Sequence, residues 1–196
     1  GRPPWPHQVE AVSRVLAALR DEDSSGAGRN LLVQHATGGG KSATMALLAH
    51  ALHSCCDRAG RGFALVLLLS DRVQLDRQLG DTVETFFRRS GVPRGDFLRA
   101  DDAGGLALVK ALGAAATERG ARCRVVSTTK QKFDFLLRAT AQDTAGGRDE
   151  DEQWGGPRVA GLLSPIFQRG RVALICEECH RAHFRGSATA AAVARL

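Results

Sequence analysis

The stretch LLVQHATGGGKSATMALLAHAL, residues 31–52, constrains this chain more than any other. It opens on an apolar run, turns through Gly38, Gly39 and Gly40 into Lys41 and Ser42, and continues with Met45, Leu48, Ala49 and Leu52 at helical spacing. Strand, glycine turn, Lys-Ser and helix in that order form the context of a phosphate-binding loop. Each residue type has its reason. Glycines take positive φ and turn backbone N–H groups inward around phosphate oxygens. The helix start adds the positive end of its dipole. In such a loop the lysine reaches the β and γ phosphates and the hydroxyl ligates magnesium, roles that fall to Lys41 and Ser42. The general pattern has its first glycine at position 35, where this chain has His35. The candidate nucleotide-binding residues are therefore His35, Ala36, Thr37, Gly38, Gly39, Gly40, Lys41 and Ser42, and the expected ligand is a nucleoside triphosphate.

The loop sits within a repeating order of elements. Apolar runs at residues 31–34, 63–70, 122–128 and 171–176 lack polar alternation, as strands covered on both faces do. Between them lie helical periods: Val9, Val12, Leu16 and Leu19, and later Leu75, Leu79, Val83 and Phe86 after Ser70 as an N-cap. Further helices are predicted near residues 104–119, 130–139 and 158–168. Strands alternating with helices predict an α/β fold, a mostly parallel sheet with helices on both faces. Residues 141–157 break every period and are rich in Gly and acid, which predicts a mobile surface loop within one domain spanning 1–196.

Composition narrows the function. Apolar residues make up 43% of the 196 residues and charged residues 24%, a globular balance. No apolar run reaches the roughly 20 residues of a membrane span, so no membrane partner is expected. The opening GRPPWPHQ lacks the apolar core of a secretory signal. We therefore expect a protein that is not secreted: cytoplasmic, or nuclear in a eukaryote. The net charge is +6, although residues 141–156 are strongly acidic, so the rest of the chain is more basic still. That suits a polyanionic partner.

Five cysteines are scattered at 55, 56, 123, 176 and 179, without the spacing of a zinc finger. Cys176, Cys179 and His180 do spell C-x-x-C-H, the attachment signal for a c-type haem. Haem chemistry needs an exported chain and usually a distal Met or His, and the single Met, Met45, lies in the phosphate-loop helix. No haem is expected. The same segment has a better reading: the strand RVALIC ends and delivers Glu177 and Glu178 to the carboxyl edge of the sheet, where open α/β sheets bind ligands.

Five segments in order now carry a resemblance. WPHQVEAV, HATGGGKS, VLLLSDRVQLDRQL, STTKQKF and LICEECHRAH together resemble the first motor domain of superfamily 2 helicases, a RecA-like P-loop NTPase fold. They look most like the DNA-translocating motor subunit of type I restriction enzymes and related DEAH-type helicases, where His commonly stands at the position of His35. By that resemblance Gln8 contacts adenine, Glu177 holds magnesium with Ser42, and Glu178 orients the attacking water, with Lys41 as its catalytic companion. His180 and Arg181 couple the nucleotide site to later elements. Arg72, Thr128, Thr129, Lys130 and Lys132 become candidate DNA contacts, on phosphates rather than bases. As plain structural residues, Arg72 would instead cap a helix and the two lysines would be solvated.

The resemblance implies ATP and Mg2+ as cofactors and double-stranded DNA as partner. It also implies a second RecA-like lobe C-terminal to this chain, which opens without Met and is expected to be a fragment. Nuclease or methylase partners are left open. One residue departs from the pattern: the family's first acid is Asp, and Glu177 is one methylene longer, which puts full hydrolysis in doubt. A nucleotide-gated binding module is therefore the alternative, and a small-molecule phosphotransferase a more distant one. Ser187-Ala188-Thr189 imitates a further helicase motif but follows the acids too closely and reads as an Ala-rich helix. His7, His50, His53 and His183 are expected to pack or lie on the surface without a functional role.

Overall fold

The computed structural model describes residues 3–20, 30–56, 60, 62–71, 73–100, 106–117, 123–133 and 171–177. Among the described residues four strands pair in parallel: β1 (Phe63–Ser70), β2 (Phe97–Arg99), β3 (Arg124–Thr129) and β4 (Arg171–Cys176). Their order across the sheet is β2-β3-β1-β4. Leu67 of β1 lies opposite Val126 on one side and Leu174 on the other. This parallel α/β architecture is the expected one.

Strand alternation divides β1 between two cores. Leu65, Leu67 and Leu69 face Leu108 and Leu112 of α4 (Leu106–Thr117), together with Phe133. Val66 and Leu68 face Met45, Ala49 and Leu52 of α2 (Lys41–His53), and Leu79, Val83 and Phe87 of α3 (Val73–Arg89). The sheet is thus covered on both sides, which is why its central strands carry no polar alternation. Each fully buried Leu or Val in these layers contributes about 1.5–3 kcal/mol. Helix α1 (Pro6–Arg20) packs on α2, with Leu16 and Leu19 against the cluster that holds Met45, Ala49 and Leu52.

Two features depart from expectation. Residues 31–34 form no strand, and Leu32 is 77% exposed. A strand needs a neighbour for its N–H and C=O groups, and none of the four described strands lies beside this run. Conversely, the three-residue β2 and the 3-10 turn before it (Arg94–Asp96) carry too short a pattern to be read in advance. The expected helix at 104–119 is α4, and helical backbone also begins at residue 130. The expected helices at 158–168 and 187–189 and the loop at 141–157 lie outside the described residues. No helix among the described residues is long and apolar enough to cross a membrane.

Candidate active site

The position of α2 follows from an anchor at its far end. His53, its last residue, lies 3.1 Å from the Asp96 carboxylate through Nε2, and Arg124 Nη1 donates to the other Asp96 oxygen at 3.4 Å. Asp96 immediately precedes β2 and Arg124 begins β3, so this cluster marks the amino edge of the sheet. Asp96 is 2% exposed. Burial, and then the Asp96 charge, push the adjoining Cys123 thiol up to about 12. His50, one turn back, meets the ring of Phe86 edge-on, and burial followed by the neighbouring His53 lowers its pKa.

A helix of 13 residues spans about 20 Å. With His53 at the amino edge, and with α2 packed along β1, β3 and β4, its first residue lies toward the carboxyl edge. Lys41 is that residue. Strand β4 ends at the same rim, where Glu177 N donates to Leu69 O at 2.9 Å and carries the ladder one residue beyond Cys176. The loop lysine and the first acid of the pair thus share one rim of the sheet. Glu178, His180, Arg181 and Arg72 lie outside the described residues.

The loop itself has the conformation its glycines permit. Gly38 and Gly40 have φ of 78° and 75°, in the left-handed region. Gly39 N donates to Ala36 O at 3.0 Å, closing a turn over Thr37 and Gly38. Ala36, Thr37 and Gly38 are exposed, while Lys41 and Ser42 are half-buried at the helix start. Ser42 and Glu177 offer a hydroxyl and a carboxylate, the hard oxygen donors magnesium takes. The donor set therefore fits the ion.

Gln8, expected to contact adenine, lies against the phosphate loop. It is 5% exposed and engaged at both ends of its amide. Its Oε1 accepts from Trp5 N at 2.9 Å, and its Nε2 donates to Gly40 O at 3.3 Å and Gly39 O at 3.4 Å. A Cβ on Gly40 would come within 2.3 Å of that Nε2. Gln8 therefore braces the phosphate loop from α1. His7, for which no role was expected, also reaches the loop: its Nε2 donates to Gly39 O at 3.0 Å. Its ring lies 5.4 Å from both Trp5 and His35. The sequence carried no signal for this, because 32 residues separate His7 from Gly39. Beside His7, α1 and residues 31–35 frame an open pocket of about 370 Å3.

The candidate DNA contacts divide. Thr128 and Thr129 are 0% and 2% exposed, so their side chains do not reach a ligand from this position. Being in a strand covered on both faces, they turn into the protein, and Thr129 Oγ1 accepts from Lys132 N at 3.4 Å. Lys132 Nζ donates to Ala100 O at 2.9 Å, a bond that ties it to the end of β2. Lys130 is half-buried at the start of the following helix.

Among the described residues no three or more His, Cys, Asp or Glu side chains gather to hold a metal. No curated protein and no solved structure matches the chain. One family model does, the SWI2/SNF2 ATPase, over residues 7–194. That match begins at His7, on the brace beneath the loop, and continues past Glu177 and Glu178, so it takes in the loop and both acids. A match of that extent, over a parallel sheet with the loop lysine and first acid on one rim, means that the chain belongs to the SWI2/SNF2 ATPase family.

Proposed function

We propose that this chain is the ATP-binding lobe of an ATP-dependent motor on double-stranded DNA, allied in its motifs to the motor subunit of type I restriction enzymes. The observation that carries the reading is the common rim: α2 begins at Lys41 where β4 delivers Glu177. The backbone of residues 38–42 cradles the phosphates, and Lys41 neutralises charge on the transferred group. Magnesium, when bound, would be held by Ser42 and Glu177 and would offset phosphate charge. Glu178 orients water for in-line attack on the γ phosphorus, so that the bond to the β,γ-bridging oxygen breaks and phosphate leaves. Such catalysis is mostly positioning and charge neutralisation. An arginine from a second lobe would complete it, so this chain alone binds ATP and turns it over slowly.

The test is ATP binding and hydrolysis by the chain, with and without duplex DNA. Lys41→Ala is expected to abolish binding and Glu178→Gln to spare binding while removing turnover. Fast DNA-stimulated turnover by these 196 residues alone would contradict the single-lobe reading.

A second reading rests on Glu177 itself, which stands where the motif pattern has Asp. Its longer arm displaces the metal donor, and magnesium tolerates little departure from octahedral geometry. On this reading the chain is a nucleotide-gated DNA-binding module. Glu177→Asp should then raise turnover without tightening ATP binding; a large loss of turnover would count against it.

A further inference from the structure

We propose that Asp76 and Ser127 are positioning residues for the DNA contact, and that Arg77 joins Lys130 in touching the phosphate backbone. The inference rests on the duplex-DNA reading above and deepens it by naming what holds the contacting groups. Ser70 ends β1 opposite Thr129, the end of β3, so the two strands leave the sheet side by side at its carboxyl edge. Paired strands lie about 4.8 Å apart. From β1 the chain enters α3 at Val73, and from β3 it enters helical backbone at Lys130. The first turn of α3 and Lys130 are therefore neighbours at one edge, although β2 and α4 intervene in the chain.

A buried bond fastens that first turn. Among the described side chains of residues 73–78 only Asp76 is buried, while Val73, Gln74, Arg77 and Gln78 are exposed. The apolar anchors of α3, Leu79, Val83 and Phe87, come later in the helix. Asp76 accepts from Ser127 Oγ at 2.6 Å, the short length of a charge-assisted bond. Beyond β3, Lys132 Nζ donates to Ala100 O at 2.9 Å and ties the following segment to the end of β2. Arg77 and Lys130 thus stand on two pieces of backbone whose relative position the Asp76–Ser127 bond sets. A guanidinium suits phosphate through its planar fork of donors. Asp71, half-buried at the same strand tip, repels phosphate, so the surface attracts a DNA backbone only while its cations hold their places. Losing the bond frees the first turn but leaves the rest of α3 packed, which makes the effect local.

Anisotropy titrations of the chain against a fluorescent DNA duplex at several salt concentrations, beside ATP titrations of the same preparations, test these roles. Arg77→Gln should flatten the salt slope by about one unit, the mark of one lost phosphate contact. Ser127→Ala should weaken duplex binding by roughly tenfold, within the range for residues that act on a ligand without touching it. Its ATP affinity should stay within about twofold of wild type, as for a distant and independent site. Ser127→Thr keeps the hydroxyl and should restore duplex binding. Ser127→Cys keeps the volume but donates weakly, so it should show the loss of the alanine variant even if that variant fails to fold. Wild-type duplex affinity in Ser127→Cys, or equal losses of duplex and ATP affinity, would overturn the positioning role while leaving the DNA reading in place. An unchanged salt slope in Arg77→Gln would remove Arg77 from the contact. A wild-type chain that binds ATP but no duplex would overturn the inference and the DNA reading together.

Discussion

Ser127 donates its hydroxyl hydrogen to the Asp76 carboxylate across 2.6 Å, with Ser127 1% exposed and Asp76 5%. The bond ties the middle of β3 to the first turn of α3, joining elements 51 residues apart. A buried carboxylate stripped of its donor keeps its desolvation cost. Ser127→Ala should therefore destabilise the fold by about 1–3 kcal/mol, measured by urea unfolding. Adding Asp76→Ala to it should cost less than the two single losses summed, a coupling that a double-mutant cycle reads directly.

The two positive-φ glycines of the phosphate loop predict unequal sensitivities. A Cβ on Gly38 would meet open space, whereas one on Gly40 would press against Gln8. An L-residue at either φ costs about 1–2 kcal/mol of backbone energy. Gly40→Ala must in addition dislodge the brace, so it should weaken ATP binding more than Gly38→Ala. Combining Gly40→Ala with Gln8→Ala should remove the clash and leave a double variant no weaker than Gly40→Ala alone.

Asp96 sits between two basic side chains, with His53 15% and Arg124 9% exposed at the side chain. Asp96→Ala leaves Arg124 buried without that carboxylate, and breaking such a pair costs about 3–5 kcal/mol. Thermal unfolding should report a loss of this order. Because the cluster holds the C-terminal end of α2, nucleotide binding at the other end of that helix should also weaken at temperatures well below the transition.

Stability should fall at both ends of the pH scale. The folded Cys123 thiol is raised to about 12, so it favours folding fully below the unfolded thiol's pKa. As pH climbs above that value the unfolded chain sheds the proton first, and stability is lost at about 1.4 kcal/mol per unit. His50 is shifted the other way, with its folded pKa below the ordinary 6.5. Below pH 6.5 the unfolded chain binds the proton first, so stability declines as acid is added until the folded imidazole also charges. Denaturant midpoints across pH should flatten on the alkaline side in Cys123→Ala and on the acid side in His50→Phe. Cys56 is exposed and should react with thiol reagents at pH 8 while folded Cys123 does not.

DNA affinity, if phosphates are the target, should fall steeply with salt. The structure separates the two lysines: Lys132 is bonded through its ammonium to Ala100 O, whereas Lys130 is half-buried at a helix start. Lys130→Gln should reduce the salt slope by about one unit, and Lys132→Gln should reduce it less while costing some stability. Equal slopes for wild type and Lys130→Gln would remove Lys130 from the interface.

Much of this molecule was determined locally. The glycine turn needs only residues 36–42 to adopt its shape, since positive φ is a property of glycine itself. Strands β1 and β4 declare themselves through nearly unbroken apolar runs, because two covered faces favour apolar side chains. Other features exist only where distant segments meet. Nothing around Gln8 in the sequence announces its bonds to the loop, which exist only because residues 39 and 40 approach it. His53 and Asp96 are separated by 43 residues, and nothing in either neighbourhood announces the other. Residues 31–34 show the converse: their apolar pattern is that of a strand, yet strand structure is a relation between two backbones, and among the described residues the partner is not beside them.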